Sequence, residues 1–182
     1  MKLHRVYPFQ EGVTLNDQGG ALFVSAISTH GRLDNPELYG VLYASTDPHA
    51  AIAAVFARLP IWRRATFVHA TGRPYVLATY DAPDDLALFE LNDVDALRSI
   101  GVTRPTDVVS RDRDITRVWA RTIFERGAFA GARWWSSDNA DWTLLGLWDY
   151  STLGLAQPVE VLTADGPLVR DAAAAIARQI AP

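Results

Sequence analysis

The sequence predicts a mixed fold of strands and helices in a single domain spanning residues 1–182, and three observations lead there. Short runs rich in β-branched and aromatic residues (3–7, 39–45, 75–80 and 86–91) are interleaved with stretches of helical spacing at 48–59, 93–100, 112–126 and 167–180. The helical stretches carry their own start and stop residues, among them Asp47-Pro48, Gly101 and Gly127. No repeat, linker or low-complexity tract interrupts the chain, whose 182 residues, 49% of them hydrophobic, suffice for a sizeable core.

In chain order, residues 3–7 form a first strand with His4 and Val6 on one face and Leu3, Arg5 and Tyr7 on the other. Between Glu11 and Gly31 the chain is rich in Gly, Ser, Asn and Thr, and its apolar ALFVSAI (21–27) is a candidate strand inside a long loop. Residues 39–45 (YGVLYAS) read as a mostly buried strand. A helix follows, capped by Asp47 and begun by Pro48, with an apolar face of Ala51, Ile52, Val55 and Leu59. Arg63, Arg64 and His69 give residues 60–72 the character of a solvated basic turn.

Strands at 75–80 and 86–91 flank the turn sequence DAPDD, and a short helix at 93–100 is capped by Asn92 or Asp93. The helix at 112–126 has Ile115, Val118, Trp119, Thr122 and Ile123 as its expected apolar stripe. Residues 131–137 (GARWWSS) form a strand with Arg133 and Trp135 on one face and Trp134 and Ser136 on the other. Strands at 142–149 and 159–162 and an alanine-rich helix at 167–180 complete the chain, with Trp134, Trp135 and Trp142 assigned to the core.

Composition narrows the function. A net charge of −4 argues against nucleic acid as the main partner, because phosphate backbones want a basic field. The absence of cysteine removes disulfides, thiolate chemistry and zinc–cysteine sites, so the cytoplasm is the expected compartment. Neither a signal peptide nor a membrane span is expected, since no apolar run approaches roughly 20 residues. No metal site is expected, because His4, His30, His49 and His69 contain no pair at helical ligand spacing. A serine hydrolase using Ser136 with His4 or His69 is disfavoured by the lack of a Gly-x-Ser-x-Gly elbow.

One stretch offers chemistry. Arg32 is the only Lys or Arg between Arg5 and Arg58, and it precedes a strand-to-helix junction, which makes a plausible anion pocket. Its surroundings, Gly31-Arg32-Leu33-Asp34-Asn35-Pro36 followed eleven positions after Arg32 by Tyr43, resemble the signature of the RES-domain family, named for an arginine, a glutamate and a serine. After eleven more positions, where the family carries its glutamate, this chain has Ala54. Ser136, or Ser137 if the register is shifted by one, fits the family's serine on a late strand, and Arg5 fits an arginine on its first strand.

The resemblance implies an α+β fold, an ADP-ribosyltransferase-like split mixed β-sheet with flanking helices, and NAD as substrate. It implies the toxin of a toxin–antitoxin pair, breaking NAD by phosphorolysis or hydrolysis or transferring ADP-ribose, with an antitoxin protein and a homo-oligomer as possible partners. In that frame Arg5 and Arg32 grip the pyrophosphate and Tyr43 stacks on nicotinamide, while Arg32, Tyr43 and Ser136 form the candidate catalytic set. Ala54 cannot supply the carboxylate that offsets positive charge on the ribose. Asp34, Asp47 or Glu37 would have to replace it, or the domain binds a nucleotide or protein partner without turnover. Tyr43, expected to face the pocket and not the core, should then tolerate Tyr43→Phe with little loss of stability.

Overall fold

The computed structural model describes residues 1–156 and 158–181. Its strands are β1 (Lys2–Pro8), β2 (Leu42–Ser45), β3 (Ile61–Trp62), β4 (Tyr75–Asp81), β5 (Leu88–Glu90), β6 (Gly131–Trp135), β7 (Thr143–Leu147), β8 (Gly154–Leu155), β9 (Glu160–Val161) and β10 (Gln179–Ile180). Its helices are α1 (Pro48–Phe56), α2 (Val94–Ser99), α3 (Arg113–Glu125) and α4 (Pro167–Ala175). The main sheet runs β5-β6-β7-β2-β1-β4-β8, with β9 also on β4. Among the described residues, only its β5–β6 pair is parallel. A small parallel pair, β3 with β10, stands apart.

The sheet is split in its middle. β1 pairs with β4 along its whole length, from Lys2↔Asp81 to Pro8↔Tyr75. β2 pairs with β7 from Leu42↔Leu147 to Ser45↔Leu144. Between β1 and β2, however, the register has a single position, His4↔Ser45. Beyond it the strands diverge, and backbone groups that an unbroken ladder would consume border a gap.

Helices α1–α4 lie over one face: Val6 and Leu77, under α1 and α4, and Ala132 and Trp134, under α2 and α3, share that face by the strand registers. Asp47 caps α1, its Oδ1 accepting from the N–H groups of His49 at 2.8 Å and Ala50 at 3.1 Å, and Pro48 occupies the first turn as expected. Ala50, Ala51, Ile52, Ala53 and Phe56 are buried, against α4 and the sheet. The small residues of α1 and of α4 (Ala172, Ala173) permit close approach. Phe56 sits edge-on to Trp62, Phe67 and Tyr75 at 5.0–5.9 Å, so truncating it to Ala would cost about 3–5 kcal/mol. A second cluster, with Leu33, Phe89, Leu97, Trp119, Ile123 and Trp134, lies under α2 and α3. A third, with Leu3, Tyr7, Leu42 and Tyr80, lies beneath the segment containing Ala21 and Val24. Among the described residues no helix is long and apolar enough to cross a membrane.

Several expectations are corrected. Residues 21–27 form no strand; their carbonyls at Ala21 and Phe23 are taken by the Arg5 side chain. Phe56, not Leu59, completes the apolar face of α1. On α3 the buried set is Thr116, Trp119, Ala120 and Ile123, while Val118 is 69% exposed. Positions 116, 119, 120 and 123 form the i, i+3, i+4, i+7 row that faces the core, and Ile115 and Val118 fall outside it. The last helix ends at Ala175: Ala177 has φ 53°, the chain reverses, and β10 follows. Trp134 and Trp142 are core residues as expected, whereas Trp135 is only partly buried.

Candidate functional site

A cavity of about 450 Å³ opens where β1 and β2 part, a size within the roughly 300–1,000 Å³ of small-molecule sites. Along β1 it is lined by His4, Arg5 and Val6, which alternate between the two faces of the strand, as a gap in the sheet permits. Tyr43 and Ala44 of β2, Leu144 and Leu145 of β7 and Trp134 of β6 form the opposite wall. The loop through Ser28, His30, Gly31 and Arg32 closes one side, with Arg113 of α3 beside it. Ala51, Ala54 and Val55 of α1 close another.

The loop is held by side chains. Asp34, only 2% exposed, accepts from Ser28 Oγ at 2.6 Å and from the Gly31 N–H at 2.7 Å, both on Oδ2. Its Oδ1 accepts from the Tyr43 hydroxyl at 2.8 Å, and that hydroxyl accepts from the Leu33 N–H at 2.8 Å. Burial, followed by the Asp34 charge, holds the Tyr43 phenol well above its ordinary value. Glycine is required at position 31, since a Cβ there would lie 2.1 Å from Tyr43 Oη. Tyr43 therefore lines the cavity and also packs against the core. The expectation that its hydroxyl is dispensable is replaced by one in which it joins two walls.

Arg5 is only partly free. Its Nη1 and Nη2 donate to Ala21 O at 2.9 Å and Phe23 O at 2.7 Å. Arg32 donates through Nη1 to Val108 O and, at 2.9 Å, to Ser110 O, and its guanidinium carbon lies 5.9 Å from the centre of the Trp134 ring. Burial, and then the neighbouring Arg113 charge, lower the Arg32 pKa. Burial also lowers that of His4, against the opposing pull of Asp47. The described lining residues carry three arginines and two histidines and no carboxylate. This is a site for an anion with an apolar or aromatic portion.

The expected residues Arg5, Arg32 and Tyr43 thus come together, and Ala54 faces the same space. Ser136 does not join them. It lies on the Trp134 face of β6 beyond the strand's end, its N–H donating to Trp142 O at 2.8 Å and its Oγ accepting from Asp138 N–H at 3.1 Å. Of the possible replacement acids, Asp34 is consumed by its donors, Asp47 by the cap of α1, and Glu37 is exposed outside the lining. Arg113 escaped the sequence reading. Its signal was a cation in the first turn of a helix, where the macrodipole disfavours one.

A mixed, curled sheet split around an arginine-lined cleft defines the class: an α+β domain with an anion-binding cavity at the break. The chain belongs to the RES-domain family, whose model (RES domain) matches residues 5–171. Among solved structures it is similar to a chain of the crystal structure of the M. tuberculosis MbcT–MbcA toxin–antitoxin complex. The TM-score is 0.58 at 16% identity, over 89% of this chain and 84% of that one. No curated protein matches the sequence.

Proposed function

We propose that the cleft is the NAD site of a toxin-type RES domain. The observation that carries this reading is that Arg32, Tyr43 and position 54, spaced along the sequence as in the family, line one cavity. In NAD the bond to break joins the ribose C1′ to the nicotinamide nitrogen. Nicotinamide leaves neutral with the bonding electron pair, positive charge spreads over the ribose, and C1′ then bonds to an acceptor oxygen from phosphate, water or a protein side chain, which loses its proton. The arginines suit the diphosphate, where charge-assisted hydrogen bonds are strongest. The Tyr43 and Trp134 rings, 6.4 Å apart and edge-to-face, offer apolar surface for the nicotinamide end. By analogy with the toxin–antitoxin complex to which the fold is similar, an antitoxin protein is the proposed partner.

A second reading has its own support: the domain binds NAD without turning it over. Ala54 is exposed towards the cavity, and no described lining residue supplies a carboxylate to offset charge on the ribose. Incubating the protein with NAD, with and without phosphate, and following nicotinamide release separates the two, with calorimetric titration reporting binding. Release by the wild type supports the enzyme. Binding without release, combined with release raised roughly a hundredfold or more in Ala54→Glu, supports the binder, since electrostatic groups of this kind are worth about 2.7–4 kcal/mol of barrier. Neither binding nor release in either protein overturns both readings.

A further inference from the structure

Within the cleft the three arginines are not equivalent. The Ser110 carbonyl accepts from Arg32 Nη1 at 2.9 Å and from Arg113 Nη1 at 3.2 Å, so two guanidinium groups converge on one neutral oxygen. Arg113 Nε donates to His30 O at 3.0 Å, which fixes the orientation of its fork. Neither arginine has an acidic partner among the described residues. Their hydrogen bonds leave Arg32 Nε and Nη2, and Arg113 Nη2, without a protein acceptor among those residues. Like charges held this close, one of them largely out of water, repel unless an anion sits between them. Arg5, by contrast, has both terminal nitrogens on the carbonyls of the 21–23 segment and lies 5.7 Å from the Tyr7 ring.

We propose that Arg32 and Arg113 together form a diphosphate clamp, aimed by the Ser110 and His30 carbonyls, and that Arg5 is a positioning residue that ties the 21–23 segment to β1. The ligand class is a compound with adjacent phosphate charges, such as the diphosphate of a dinucleotide or of ADP-ribose. This rests on the NAD reading of the cleft and adds a residue to it. It also moves the anion grip from the β1 side of the cavity to the side formed by the loop and α3. Two guanidinium groups presented from different elements bring their free nitrogens, Arg32 Nε and Nη2 and Arg113 Nη2, to adjacent phosphates from different directions.

The test is calorimetric titration of wild type, Arg113→Gln, Arg113→Lys and Arg5→Gln with NAD, ADP-ribose, inorganic pyrophosphate and nicotinamide riboside, the last of which lacks phosphate. Circular dichroism melting shows that each variant is folded. Arg113→Gln should weaken NAD, ADP-ribose and pyrophosphate by about 10–100-fold and leave nicotinamide riboside unaffected, while Arg113→Lys, which keeps the charge and loses the fork, should fall between. Arg5→Gln should weaken phosphorylated and unphosphorylated ligands alike. Equal affinity of wild type and Arg113→Gln for ADP-ribose and pyrophosphate overturns the clamp, and so does an equal loss of nicotinamide riboside in Arg113→Gln. Pyrophosphate bound through Arg113 without any binding of NAD sinks the NAD reading and leaves the clamp standing. If Arg113→Gln does not fold, the comparison of Arg113→Lys with wild type on pyrophosphate decides, unchanged affinity overturning the proposal.

Discussion

Arg5 and Arg32 look into one cavity from walls built in different ways. Arg5 stands on β1, which is fixed along seven residues by its ladder to β4. Arg32 stands on a loop without a ladder, and its place depends on Gly31, Asp34 and Tyr43. A wall made of backbone pairing distributes its stability over many bonds, and most of its side chains can change without moving it. A wall made of side chains concentrates its stability in a few buried contacts. Single substitutions should therefore hurt the loop wall far more than the strand wall.

Gly31→Ala is expected to have the largest effect. The new Cβ would fall 2.1 Å from Tyr43 Oη and 2.4 Å from its Cζ, in a ring held at both ends. The loss should exceed the about 1–3 kcal/mol of ordinary overpacking, with NAD binding abolished, as read by urea denaturation and titration. An equal loss of stability in Arg5→Gln would dissolve the contrast between the walls. Next is Asp34→Asn, which places an amide donor against one of three donors. About 1.5–3 kcal/mol should be lost, the scale of bonds to a charged group, visible as a lower denaturation midpoint at unchanged slope. Tyr43→Phe should cost about 1–2 kcal/mol, because the Leu33 N–H loses its acceptor while Asp34 keeps its other donors. A Tyr43→Phe protein as stable as wild type would mean that the loop is held by something else.

The smallest effect belongs to the strand wall. Burial lowers the His4 pKa below its unfolded value of about 6.5, so on acidification the unfolded chain binds the proton first. Stability should accordingly fall as pH drops below about 6.5 and level off below the folded pKa, and His4→Asn should remove that part of the slope. Parallel pH profiles for the two proteins between pH 7 and pH 5 would show that His4 carries no such linkage.

The fold was legible where a local rule was strong. Asp47-Pro48 announced α1, Gly101 and Gly127 ended their helices with positive φ, and alternation placed Leu3 and Tyr7 opposite Val6. It was illegible where two-residue strands carry no period, as in β3, β8 and β10, and where the partner decides. Thr116 and Ala120 are buried on α3 and Val118 is not, because the row at 116, 119, 120 and 123 faces the core, and apolarity alone does not tell which row does. The apolar run 21–27 looked like a strand because nothing local shows that its carbonyls would be claimed by an arginine 16 positions away. In the site, Arg32, Tyr43 and Ala54 were readable because their spacing matches that of the family signature. Arg113 was not, since its nearness to Arg32 is created only by the turn at Val108–Ser110 that both elements share.

The small parallel pair β3–β10 has a consequence for the order in which the molecule is made. Arg178 Nε donates to Ala57 O across 121 positions of chain, and Gln179 and Ala181 donate their N–H groups to Pro60 O and Trp62 O. Helix α1, which carries Ala54 into the cleft, is thus secured at its exit by residues from the far end of the described chain, and these lie past residue 171, where the family match stops. Contacts so distant in sequence form late, because the entropy of closing the intervening loop is lost before they contribute. On the ribosome, at about 5–20 residues per second, α1 must wait several seconds after its own synthesis for α4 and β10 to arrive. The nascent chain therefore displays its arginine-bearing loop well before it owns a finished cleft.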